Sequence, residues 1–115
     1  MNKNKFIEIE KLINEGKMED AQLELSKIEP SFFDNPEYLY LRGKVFYLNK
    51  LYYLAIDTLL IALEFEQNDK VYNMIAEIYN ILNNKELSRS IFNPHQREGV
   101  INLLKGELSG AYRKK

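Results

Sequence analysis

The chain has 115 residues, 45% of them apolar and 29% charged, with a net charge of -1. That balance fits one soluble domain with a modest core and excludes a disordered tail or a collagen-like fibre. The near-zero charge provides no field to draw nucleic acid or an anionic membrane, and the lack of cysteine removes disulfides and thiolate metal sites.

Met1 to Lys5 is a charged segment followed by alternating polar residues rather than by the apolar core of a signal peptide. The longest aliphatic run, Leu59 to Leu63, is far too short to span a bilayer. These features lead us to expect a cytoplasmic protein with no membrane or nucleic-acid partner.

In chain order, Phe6, Ile9, Leu12 and Ile13 recur at helical spacing and predict a first helix that stops near Gly16. Met18, Ala21, Leu25 and Ile28 form a second, stopped by Pro30. After the turn at residues 31–34, Asn35-Pro36 is a cap followed by a first-turn proline, so a third helix is expected over 36–48. A fourth follows over about 52–65 and a fifth over about 70–82, broken by Asn83-Asn84. The sixth is short, about 85–92, and Asn93-Pro94 repeats the start signal for a seventh over about 94–108. Residues 109–115 read as a flexible basic tail.

Ala21 and Ala55 lie 34 residues apart, and Ser88 follows 33 further on. The helical pattern repeats around each of these small residues, which points to an internal repeat. The segment 36–68 resembles the tetratricopeptide repeat, a pair of antiparallel helices. Leu39 stands where that family often has Trp, Gly43 at its small contact position and Phe46 at its aromatic one. Tyr52, Ala55, Leu59 and Ala62 match its second helix. A first repeat, 2–35, keeps Leu12, Gly16, Met18, Ala21 and Leu25 but places Ile9 where a small residue is usual. A third, 69–92, keeps Tyr72, Ala76, Tyr79 and Ser88, and Pro94 cuts it short. The resemblance covers about four-fifths of the chain. It implies an all-α fold, a right-handed solenoid of about three repeats in a single domain over 1–108, closed by a capping helix. On that helix Val100, Leu104, Leu108 and Ala111 share one side.

In that family the first helix of each repeat lines a concave groove that holds a peptide or a helix. Carried over, the groove would comprise Lys3, Phe6, Glu10 and Ile13, then Glu37, Tyr40, Lys44 and Tyr47, then Lys70, Asn73, Glu77 and Asn80. Tyrosines anchor partners well because they bury a large area with few rotors and keep a polar tip. The carboxylate-holding version of the groove is not expected, because Phe6 and Glu10 replace the Lys and Asn it needs. The resemblance therefore implies a non-catalytic protein-protein interaction module, an adaptor or assembly chaperone.

A second surface departs from the family pattern. Tyr53, Leu54, Leu60 and Ile61 lie at i, i+1, i+7 and i+8 of the fourth helix, on the side that is normally polar and outward. The matching first-repeat residues are Glu19, Asp20, Ser26 and Lys27. The alternative is therefore a structural unit that self-associates into a homo-oligomer through this convex face.

Other chemistry is poorly supplied. His95 is the only histidine and, without cysteine, has no partner for a metal or a triad. Gly99, Gly106 and Gly110 follow no strand and precede no Lys-Ser/Thr, so they make no phosphate loop. Arg113 to Lys115 is too small a cluster to hold nucleic acid at physiological salt. No catalytic residues, metal or cofactor are expected.

Overall fold

The structure, a computed structural model, describes the backbone of residues 3–113 and the side chains of residues 4–105. Its regular elements are α1 (Lys3–Asn14), α2 (Met18–Ser26), α3 (Pro36–Leu48), α4 (Tyr52–Phe65), α5 (Asp69–Ile81), α6 (Lys85–Phe92) and α7 (Arg97–Arg113), with a 3-10 turn at Pro30–Phe32. Among the described residues there is no strand, so the all-α expectation holds.

The local code of the hairpins is a repeated turn. Gly16 takes a left-handed φ of 80°. Its N–H donates to the Ile13 carbonyl at 3.0 Å while the Lys17 N–H donates to Leu12 at 2.9 Å. This pair of bonds satisfies carbonyls that a helix end otherwise leaves open. Lys50 (φ 64°) and Asn83 (φ 66°) repeat it. There Lys50 and Leu51 donate to Tyr47 and Phe46, and Asn83 and Asn84 donate to Asn80 and Tyr79. The three left-handed positions are spaced by 34 and 33 residues, matching Ala21, Ala55 and Ser88. Each of α1–α2, α3–α4 and α5–α6 is thus closed by the same bonding pattern across a three-residue connection.

Asparagines cap the starts of α3, α5 and α6. Asn35 Oδ1 accepts from the Glu37 and Tyr38 amides, with Pro36 in the first turn. Asn68 accepts from Lys70 and Asn84 from Leu87. Asn93 behaves differently from the expected cap. Its side chain accepts from His95 while its carbonyl accepts from both Gln96 and Arg97. Residues 94–96 therefore form a turn, and α7 begins at Arg97 rather than at Pro94. The far end also differs: α7 runs to Arg113, so residues 109–113 continue the helix instead of leaving it as a tail.

The chain forms two compact units, which meet in sequence at Gln67 and Asn68. In the first, α3 packs against α1, α2 and α4. Phe6, Ile9 and Ile13 of α1, Ala21 and Leu25 of α2, and Tyr38, Leu39, Leu41 and Val45 of α3 are buried together with Ala55, Ile56, Leu59, Leu60, Ala62 and Leu63 of α4. Gly43 sets how closely α3 and α4 approach. A Cβ there would stand 2.7 Å from Leu59 Cδ2 and 2.8 Å from Leu59 Cγ, inside contact distance. An ion pair between Lys5 and Glu24 ties α1 to α2 at the surface.

In the second unit α5 packs with α6 and α6 with α7. Val71, Tyr72, Ile75, Ala76, Ile78, Ile91 and Ile101 form its core. Buried Ser88 is satisfied by donating to the Ala76 carbonyl at 2.7 Å. Arg97 pins the start of α7. Its guanidinium lies 4.9 Å from the Tyr72 ring centroid, donates to the Phe92 carbonyl at 3.0 Å and pairs with Asp69 at 2.8 Å. Val100 and Leu104 are half-buried, whereas the side chains of Leu108 and Ala111 lie outside the described residues.

Candidate functional site

Helix α3 presents chemistry on two opposite faces. On the first, Tyr40, Lys44 and Tyr47 follow at i, i+4 and i+7, so they stack along one side, and all three are half-buried. Lys44 Nζ donates to Asn14 Oδ1 at 2.9 Å and lies 3.7 Å from Glu10 Oε2, which ties this face of α3 to α1. Burial, and after it the Glu10 carboxylate, push the Tyr40 phenol above its ordinary value. Tyr47 meets Tyr52 at the hairpin turn, ring centroids 6.2 Å apart and tilted by 55°.

Of the residues expected in the groove, the structure brings Glu10, Tyr40, Lys44 and Tyr47 onto this one face. Phe6 and Ile13 do not join them as open anchors, because they are 6% and 2% exposed. Both lie on the same stripe as Ile9, and that single apolar stripe is what α1 turns inward. Asn73, Glu77 and Asn80 are exposed on α5, in the second unit.

The expected outer patch on α4 changes membership. Tyr53, Leu54 and Ile61 are exposed, but Leu60 is 3% exposed and belongs to the core. Leu60 sits mid-helix at the edge of the arc formed by Ile56, Leu59 and Leu63. Tyr53 shares its direction but lies in the open first turn. Phe65 and Leu51, which the sequence did not single out, complete a stripe of exposed apolar residues with Leu54 and Ile61. Within it Thr58 donates its hydroxyl to the Leu54 carbonyl at 2.8 Å, which leaves the stripe little polar interruption. Burial pushes the neighbouring Asp57 carboxyl above its ordinary value.

The opposite face of α3 carries a site that sequence reasoning missed. A cavity of about 360 Å³ lies between α2 and α3, lined by Gln22, Leu25, Phe33, Tyr38, Arg42 and Phe46 among others. Arg42 is one turn from Tyr38 and from Phe46, and its guanidinium lies 5.8 and 5.4 Å from their ring centroids. Phe33, from the loop after the 3-10 turn, stacks on Tyr38 at 5.2 Å. The aromatic-Arg-aromatic spacing at i-4, i and i+4 was the available signal, but Phe33 completes the wall only in three dimensions.

In comparisons with family models, with curated proteins and with solved structures, nothing matches this chain. Among the described residues no helix is long and apolar enough to cross a membrane. Nor, among them, do three His, Cys, Asp or Glu residues gather as a metal site would require. His95 is exposed in the turn before α7.

Proposed function

We propose that this chain is a small protein-binding module of the tetratricopeptide type, built from about three helix-pair repeats, that holds a peptide or helix segment without catalysing a reaction. It would act as an adaptor or assembly chaperone, and its cysteine-free composition is compatible with the reducing cytoplasm. The observation that carries this reading is the Tyr40–Lys44–Tyr47 face of α3. Two tyrosines stand on a rigid helix, with a Lys held between them by Glu10 and Asn14 of the neighbouring helix. Large aromatic side chains fixed by a scaffold lose little entropy on binding and so make efficient anchors.

The test is partner capture by affinity-tagged chain in its native cell. Wild type should retain a defined partner, and the Y40A/Y47A double variant, checked for unchanged helicity, should lose it. Retention of the same partner by the variant would refute the assignment. The exposed stripe of Leu51, Leu54, Ile61 and Phe65 supports a second reading, self-association through α4. In that case the chain should sediment as a dimer or larger, and L54K/I61K as a monomer. A wild-type chain that sediments as a monomer at high concentration removes this reading.

A further inference from the structure

We propose that the cavity between α2 and α3 is a second binding site, for a peptide segment of another protein that carries a carboxylate beside an aromatic or branched apolar side chain. It lies on the side of α3 away from Tyr40, Lys44 and Tyr47. Two residues along an α-helix turn the side chain by roughly 200°, which separates Arg42 from Tyr40.

Charge is the first argument. Arg42 is exposed, and among the described residues no carboxylate lies within ion-pair distance of its guanidinium. Its one hydrogen bond there goes from Nη1 to the Tyr38 hydroxyl at 3.2 Å, a neutral acceptor. A guanidinium has five N–H donors in a planar fork that matches a carboxylate. The Tyr38 and Phe46 rings on either side hold that fork in place without neutralising it.

Shape is the second. Leu25, Val45, Tyr38 and Phe33 form an apolar wall of this open cavity of about 360 Å³. That is at the small end of ligand sites, which run from roughly 300 to 1,000 Å³, so it suits one or two side chains and not a whole helix. The stack of Phe33 on Tyr38 fixes one wall before any ligand arrives, which lowers the entropy cost of binding. A carboxylate next to an apolar side chain satisfies both halves of the site.

Amide NMR titration of the full chain tests this with four N-acetylated peptides. Two carry the full signature: Ac-Gly-Phe-Asp-Gly-NH2, and Ac-Gly-Gly-Phe with a free C-terminal carboxylate. The controls are Ac-Gly-Phe-Asn-Gly-NH2, which lacks the charge, and Ac-Gly-Gly-Asp-Gly-NH2, which lacks the ring. At least one full-signature peptide should saturate shifts at Gln22, Ser26, Phe33, Arg42 and Phe46, about tenfold more tightly than either control. Which one binds shows whether an acidic side chain or a chain terminus is the natural source. R42Q should bring the binding down to the level of the uncharged control, R42K should recover part of it, and Y40A/Y47A should leave it unchanged. Charged and uncharged peptides binding equally, no saturable shift at these residues, or full binding to R42Q would each overturn the proposal. Because Tyr40 and Tyr47 are not used, failure here leaves the other face of α3 untouched, and failure there leaves this site untouched.

Discussion

Gly43 is the point where a single methyl group tests the packing of the α3–α4 hairpin. In a helix interior, replacing Gly by Ala ordinarily gains about 0.5–1 kcal/mol, because Ala loses less backbone freedom on folding. At Gly43 the new Cβ would lie 2.7 and 2.8 Å from two carbons of Leu59. Leu59 is fully buried, and one of the two contacts is its branch point, so the side chain has no free direction in which to swing. Overpacking of this kind costs roughly 1–3 kcal/mol. The two effects oppose each other, and the steric one wins: G43A should be destabilised by a net amount on the order of 1–2 kcal/mol. For a chain of 115 residues that lowers the melting temperature by about 4 °C per kcal/mol. L59A alone should cost about 2–5 kcal/mol through the cavity it leaves. In the double variant the added methyl occupies space that Leu59 vacates, so the combined loss should fall short of the sum by about 1 kcal/mol or more. Urea unfolding followed by helical circular dichroism measures all four corners of this cycle. A G43A chain as stable as wild type, or strict additivity with L59A, would refute the close-contact reasoning.

Lys50 holds a left-handed backbone without being glycine, a conformation that costs a residue with a Cβ roughly 1–2 kcal/mol. K50G should therefore raise stability in urea by about 0.5–1 kcal/mol, and a loss of stability would contradict the turn geometry. R97A removes a ring contact and a carbonyl bond as well as an ion pair, and should destabilise the second unit by about 1–3 kcal/mol. D69N should cost under about 1 kcal/mol, because the Asp69 side chain is 88% exposed, and equal losses in the two variants would show the ion pair dominating. Burial raises the Asp57 carboxyl, so the folded chain binds that proton more tightly than the unfolded one. Stability then falls as pH rises through the window between the ordinary and the raised value, and the cost is fully present above it. D57N should accordingly melt higher than wild type at neutral pH. The difference should vanish below the ordinary carboxylate value of about 3.9, and a gap that persists there would refute the burial argument.

Much of the helix layout is legible in the sequence because its punctuation is local. Gly16, Asn35-Pro36 and Asn83-Asn84 act through their own backbone and side chains, so they mark the same boundaries in the fold. The Lys50 turn carries no such residue at its left-handed position. Only the 34-residue spacing reveals that it matches the turn at Gly16. Direction is harder to read than position. Phe6, Ile9 and Ile13 form one stripe, but periodicity does not state whether that stripe meets the core or a partner. The core takes it, because burying three large side chains outweighs leaving a groove open. Helix α4 is apolar on nearly all sides, so spacing alone groups Leu60 with Leu54 and Ile61, and only packing separates them. Arg42 is not legible as a site in the sequence because its setting depends on Phe33, brought to Tyr38 by the 3-10 turn rather than by sequence spacing.

The central claim is that the Tyr40–Lys44–Tyr47 face of α3 meets a different protein. Glu37 is exposed one turn away on that face, so a photo-crosslinking benzoylphenylalanine there reports the face without disturbing the tyrosines. A parallel chain carries the same group at Leu54, on the exposed stripe of α4. Irradiation in the native cell should join position 37 to a defined second protein, and Y40A/Y47A should abolish that adduct. Adducts formed only from position 54, and only with another copy of this chain, would contradict the account.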